Sequence, residues 1–337
     1  LTAGTIRTHS GNPYLRWEQT QQTNVGLDAA FLSSRLLFEI DLFNKQTRDM
    51  LYEPAYAAVL GEGGYSFQNV AAMNNKGIEF NLSWRDSKDD FSYEISFNGS
   101  LNKNRITELP EQVYYTWGCG NGDNITNVGH PLGSWLGYKT DGLFRTQAEV
   151  DDYMSRYEVQ YGAPGVGRLR YVDTNGDNVI NAKDRIFMGS DQPKFIGGLN
   201  FSANWKGFDL SLFFNGMVRQ AWNNSKFYTN LWAYWSGNHS TRLLEAYDAW
   251  ENYEKTGRYD SDIPALTTSG SNNENGSSDF FVENGSYLKL KTLTLGYTLP
   301  EKVLEKCRLR NLRVYLQAQN LFTITSYTGA DPEGLGF

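Results

Sequence analysis

The chain has 337 residues, a net charge of -7, three scattered histidines and no basic run, a balance that excludes a nucleic-acid surface. No stretch of about 18 apolar residues occurs, so helical membrane spans are excluded too. A mean hydropathy of -0.53 leaves membrane strands open, because an alternating strand averages to a polar value, and the abundance of Gly, Tyr and Phe suits that class.

In chain order, a polar lead-in over 1–12 precedes a long strand opened by Trp17. Within it Val25, Leu27, Ala29 and Phe31 alternate with Asn24, Gly26, Asp28 and Ala30. Ser33 and Ser34 make a turn, and the return arm sets Leu36, Phe38, Ile40 and Leu42 against Arg35, Leu37, Glu39, Asp41 and Phe43, continuing toward Met50. A connection rich in Gly, Ala and Tyr spans 53–72. The second hairpin carries Ile78, Phe80, Leu82 and Trp84, a polar turn at 86–90, then Phe91, Tyr93, Ile95 and Phe97. A long excursion follows at about 106–194, with a short helix expected over 148–157.

The clearest alternation lies in 195–216. Phe195, Gly197, Leu199, Phe201, Ala203 and Trp205 share one face, Lys206 and Gly207 form a tight turn, and Phe208, Leu210, Leu212 and Phe214 return. A second excursion at about 222–285 leads to the last hairpin. There Leu293, Leu295, Tyr297 and Leu299 match Leu312, Val314, Leu316 and Ala318, and 300–308 bridges the arms with a helical turn.

Arms of about ten residues suit the roughly nine to eleven that cross a bilayer at a tilt. Short connections all fall on one edge and long ones on the other, the asymmetry of an outer-membrane barrel with periplasmic turns and extracellular loops. A sheet in hydrocarbon must close. With about eight strands and two ends that look cut, the expected fold is all-β: an antiparallel transmembrane β-barrel segment with long extracellular loops. The competing reading is a soluble or surface-exposed β-rich glycan-binding protein, in which Leu82, Phe97, Leu212, Phe214, Leu295 and Tyr297 would be buried under a second sheet. No paired carboxylates or Ser/His/Asp set stand in a hydrolase motif, so no enzyme is expected.

Several stretches, in order, carry a resemblance. They are Gly137-Tyr138-Lys139-Thr140-Asp141-Gly142-Leu143-Phe144, the segment 173–184, Pro193-Lys194-Phe195, Lys206-Gly207-Phe208-Asp209-Leu210, and Tyr287-Leu288-Lys289-Leu290-Lys291. Leu295-Gly296-Tyr297, Asn311-Leu312-Arg313-Val314-Tyr315 and Gln319-Asn320-Leu321-Phe322 complete the set. Together they resemble the C-terminal half of the SusC/RagA family of TonB-dependent outer-membrane transporters. The resemblance implies residence in the outer membrane of a Gram-negative bacterium and a barrel of about 22 strands plugged by an N-terminal domain. It also implies active nutrient import of oligosaccharides or peptides, with a SusD-like surface lipoprotein as lid and energy from TonB. On that reading 1–337 is the C-terminal barrel part, and the plug domain, the N-terminal segment that meets TonB, the first strands and the last strand are absent.

The sharpest local signal is D-T-N-G-D-N-V-I-N-A-K-D over 173–184. A calcium loop takes oxygens from positions 1, 3, 5, 7, 9 and 12. Here these are Asp173, Asn175, Asp177, the carbonyl of Val179, Asn181 and Asp184, so calcium or a similar hard divalent cation is expected as a structural ion. The alternative is a turn closed by its own Asx hydrogen bonds. Aromatic residues in the excursions, Tyr114, Tyr115 and Trp117 in one and Trp222, Trp232 and Trp235 in the other, suit stacking on sugar rings or contact with the lid. They equally suit packing of the loops on each other. The charged groups Asp28, Glu39, Asp41, Glu79, Arg85, Glu94, Asp209 and Arg313 share the face away from lipid, where they either pair with one another and the plug or line a solute path. Cys119 and Cys307 fall on opposite sides of the expected apolar band, out of disulfide reach.

Overall fold

The computed structural model describes residues 11–52, 66–110, 113–116, 123–223, 225–226, 241–267, 276–306 and 309–334. Its wall is one sheet of eight antiparallel strands: β1 (Gln19–Phe31), β2 (Leu36–Tyr52), β3 (Gln68–Lys88), β4 (Phe91–Glu108), β5 (Phe195–Trp205), β6 (Phe208–Val218), β7 (Tyr287–Thr298) and β8 (Arg313–Thr325). They pair in chain order, and β1 and β8 do not pair with each other, so the sheet is open, a partial barrel.

The alternation of apolar and polar residues sets the register, because a slip of one residue would turn every side chain to the wrong face. Leu42 lies opposite Ile78, Ile78 opposite Leu101, and Leu101 opposite Phe195, giving a continuous apolar row across four strands. Among the described residues these side chains meet no second layer. Val25, Leu27, Leu82, Phe97 and Leu295 are each more than a third exposed. Toward the short turns the same face carries aromatic residues. Trp84 donates its indole N–H to the Tyr93 hydroxyl at 3.0 Å, and Phe208 and Tyr297 bring their ring centroids to 4.5 Å. An apolar band edged by such a girdle is the outer surface of a membrane barrel.

The short connections are set by backbone chemistry. Leu32, Ser33 and Ser34 all adopt positive φ between β1 and β2, and Lys206 and Gly207 do so in the two-residue turn between β5 and β6, where the sense of the turn matches strand twist. Three expected boundaries move. The turn at 86–90 shrinks to Asp89 and Asp90, β3 begins at Gln68 inside the expected connection 53–72, and β4 runs to Glu108 inside the excursion expected from 106. At the 86–90 turn and at the end of β4 mostly polar residues are held by ladder hydrogen bonds, and at the start of β3 the run Val70-Ala71-Ala72-Met73 is apolar on both faces, so neither leaves an alternation to read. Trp17 lies two residues before β1.

On the inner face the expected charge pairing is partial. Arg313 grips Asp209 (Nε to Oδ1, 2.9 Å) across Gly296, where any side chain would collide with the pair. Glu39 accepts from Asn81, Glu94 accepts from Ser83, and Arg85 donates to the carbonyl of Ser34.

The main core lies outside the wall. The excursions after β4 and after β6 fold together, and Tyr138, Phe144, Val150, Tyr153 and Ile180 of the first pack with Ala249, Tyr259 and Ala265 of the second. Helix α1 (Gln147–Arg156) is one residue offset from the expected 148–157 and is capped by Thr146, whose side chain accepts from the Glu149 amide. Helix α2 (Leu243–Thr256) ends at Gly257 in the left-handed conformation. Helix α3 (Glu301–Lys306) is the expected helical turn before β8. No described helix is long and apolar enough to cross a membrane.

Candidate functional site

The candidate site is the space between the wall's inner face and this folded cap. A cleft of about 710 Å³ lies there, lined by Phe43, Asn102 and Asn104 from the wall and Ser190, Gln192 and Gln220 from the cap. Its lining is mostly apolar, with one aromatic ring, amide and hydroxyl groups and three lysines, Lys76, Lys103 and Lys194. That combination offers donors, acceptors and positive charge beside apolar surface to an oligomer. None of these residues stands in a motif, because the cleft is assembled from strand ends and loops far apart in sequence.

The segment 173–184 braces the cap. Asp173 accepts from the amides of Gly176 (2.7 Å) and Asn178 (2.8 Å), Asn175 from Asp177, Asp177 from Val179, and Asn181 from Lys183. Asp184 is fully buried and accepts from Thr174 on one oxygen and Asn181 on the other, each at 2.9 Å. Asn178, at the sixth position of the segment, adopts φ 61, in the left-handed region that Asn reaches more readily than most residues. Beyond it Val179–Ile180 pairs in parallel with Glu158–Val159, just after α1, and Ile180 enters the core. Burial pushes the Asp173 carboxyl up, but the amide hydrogen bonds outweigh it and hold the group below its ordinary value. The loop is thus closed by its own Asx hydrogen bonds. Among the described residues, no three His, Cys, Asp or Glu side chains converge into a set that could hold a metal.

The expected aromatic contacts divide. Trp222 is buried, its ring stacked on Phe281 at 5.1 Å and near Trp135 at 6.0 Å, so it seals the seam between the excursions and presents no free face to cargo. Packing against other rings removes that expected contact. Tyr114 and Tyr115 belong to the strand Val113–Thr116, which pairs with Asp123–Thr126 in the cap. Trp117, Trp232, Trp235, Cys119 and Cys307 lie outside the described residues.

A cationic set that sequence reasoning missed sits at the mouth above β6 and β7. Lys289 is buried and contacts Glu333 at 2.8 Å and Asp331 at 3.3 Å, Lys291 pairs with Glu333, and Arg219 donates to the carbonyls of Pro332 and Gly334. The two ammonium groups hold the Glu333 carboxyl below its usual range. This cluster fastens the segment after β8 over the rim. Nearby, Lys226 pairs with Glu283 at 2.8 Å, and Glu283 accepts the Thr328 amide and hydroxyl.

Comparison with known proteins matches residues 2–321 to the family described as TonB dependent receptor-like, beta-barrel. The chain belongs to that family. TonB-dependent receptor P3 of Formosa agariphila is 31% identical over 98% of this chain and 32% of its own length. TonB-dependent receptor SusC of Bacteroides thetaiotaomicron is 28% identical over 98% and 31%. A structure described as the RagAB peptide transporter superposes with a TM-score of 0.74 at 28% identity, covering 97% of this chain and 34% of that one. The expected kinship with SusC and RagA is therefore met, and the chain spans about a third of the length of these TonB-dependent receptor relatives.

Because Asp184 alone satisfies two backbone amides within a buried turn, Asp184→Ala strands both donors. Its expected cost is about 2–3 kcal/mol in the stability of the cap. Limited proteolysis of 123–190 and 241–267 should become faster while the wall stays protected, and Asp184→Asn should fall between.

Proposed function

We propose that the chain forms part of the wall and extracellular cap of an outer-membrane importer of oligosaccharides or peptides, energised through TonB and closed from outside by a SusD-like lipoprotein. The observation that carries this is the uncovered apolar face of the eight-stranded sheet, on which Leu82, Phe97 and Leu295 stay more than a third exposed. Water would penalise that face and lipid would not. A soluble glycan-binding protein would have to cover it. Family membership and the likeness to SusC and to RagAB, itself described as a peptide transporter, support the same reading. The cleft sets amides and lysines beside apolar side chains, which supports an oligomeric cargo that carries donors and acceptors, as glycans and peptides do. Deleting the gene should abolish growth on one of these oligomer classes while growth on the matching monomer persists, and collapse of the proton-motive force should stop uptake. Undiminished uptake of both classes in the deletion strain, or uptake indifferent to the uncoupler, would contradict the proposal.

The loop at 173–184 is proposed to bind calcium or a similar hard divalent cation as a brace for the cap. The spacing of its six oxygen positions and the anionic Asp173 support this, although a bound ion must compete with the amides that the carboxylates now accept. At a hundredfold excess over Kd, calcium should stabilise the cap by about 2.7 kcal/mol. Asp173→Asn with Asp177→Asn should remove that gain. Identical melting in calcium and in chelator would show that the Asx hydrogen bonds suffice.

A further inference from the structure

The outer face changes character abruptly at the extracellular ends of β2, β3 and β4. The highest apolar row is Leu42, Ile78 and Leu101, joined in register, and one step of two residues above it lie Asn44, Lys76 and Lys103, also in register. The next step pairs Asn74 with Arg105, and the next on β2 is Arg48, opposite Gln19. Inner-face contacts fix the phase of this alternation. Asn104 donates to Asn75 at 2.7 Å and accepts from the Leu132 amide of the cap, and Phe43 covers Gly77. By strand parity Lys76, Lys103 and Arg105 therefore project outward, while Lys76 and Lys103 also border the cleft under the cap.

Four exposed cations, Arg48, Lys76, Lys103 and Arg105, line one depression of about 620 Å³ at the strand ends, which Thr47, Met73 and Ile106 of the opposite parity and Val128 of the cap also border. Lys76 and Lys103 are directly opposed across β3 and β4, an arrangement of like charges that destabilises a sheet unless something offsets it. None of the four forms an ion pair among the described residues, and Glu108, at the far end, is the single acid of the lining. With the short turns periplasmic, this patch stands at the upper border of an apolar band about 25 Å tall, at the level of the outer leaflet's headgroups. Basic clusters at that depth are recognition sites for anionic lipid heads.

We infer that this patch binds the phosphate groups of a phosphorylated glycolipid of the outer leaflet, with its acyl chains lying along the row Leu42, Ile78 and Leu101. The inference rests on the outer-membrane reading above. The acyl chains provide what a free phosphate lacks, a second contact on the apolar row directly below the cations.

The test uses the protein with any sequence that naturally flanks this chain, reconstituted in phosphatidylcholine nanodiscs containing diphosphoryl lipid A. Lipid retained after washing is counted by mass spectrometry. Wild type should retain diphosphoryl lipid A and not its dephosphorylated form, and millimolar inorganic phosphate should not displace it. Lys76→Gln, Lys103→Gln and Arg105→Gln should each weaken retention roughly fivefold, so roughly a hundredfold together. Lys45→Gln, on the inner face, should change nothing. Equal retention by wild type and triple variant, equal retention of the dephosphorylated lipid, or displacement by inorganic phosphate would overturn the inference. Heat-modifiable migration of each variant on gels establishes that the barrel has inserted, so a failure of the membrane reading is seen separately.

Discussion

Everything in this molecule depends on the uncovered apolar face of its eight-stranded sheet. Hydrocarbon supplies no partner for a backbone amide or carbonyl, so a wall there must satisfy its polar groups between strands. The register from β1 to β8 does this without interruption apart from local bulges. Once one face is given to lipid, the other must be polar, the turns on one side can be short, and the bulk of the fold moves to the opposite end. The buried core accordingly forms in the excursions and not in the wall.

That division of labour explains the charges. On the inner face, groups such as Asp209 and Arg313 meet partners because water and neighbouring strands are available to both. At the mouth, Lys289 and Lys291 hold the segment after β8 through Asp331 and Glu333. On the outer face a cluster of cations stands above the apolar band, and among the described residues it forms no ion pair. The same residue type serves as clasp in one place and as a lipid-facing surface in the other, and which it does follows from strand parity and height.

Much of the wall was legible in the sequence because burial against lipid leaves a period of two. Leu199, Phe201, Leu210 and Leu212 announce their face, and Lys206-Gly207 announces the turn. Strand ends were harder to read: where β3 and β4 rise above the band, Asn74, Lys76, Asn102 and Lys103 carry no apolar signal, yet their ladders persist. The cap was not legible as a unit. Its core joins Tyr138 and Ile180 to Ala249 and Tyr259, residues separated by a wall hairpin, and nothing local marks such a contact. For the same reason Trp222 looked like a platform for cargo, whereas three-dimensional packing sets it against Phe281 and Trp135. The spacing in 173–184 was plain, and its hydrogen bonds follow the Asx pattern that such spacing also serves.

The most direct measurement is a spin-label scan of β5 and β6 in bilayers, with single cysteines introduced from Leu199 to Ser202 and from Leu210 to Phe213, reading accessibility to oxygen against a water-soluble relaxation reagent. The account predicts that Leu199→Cys, Phe201→Cys, Leu210→Cys and Leu212→Cys favour oxygen while Asn200→Cys, Ser202→Cys and Ser211→Cys favour the aqueous reagent. Sites on both faces shielded from both reagents would place this sheet inside a protein core and contradict it.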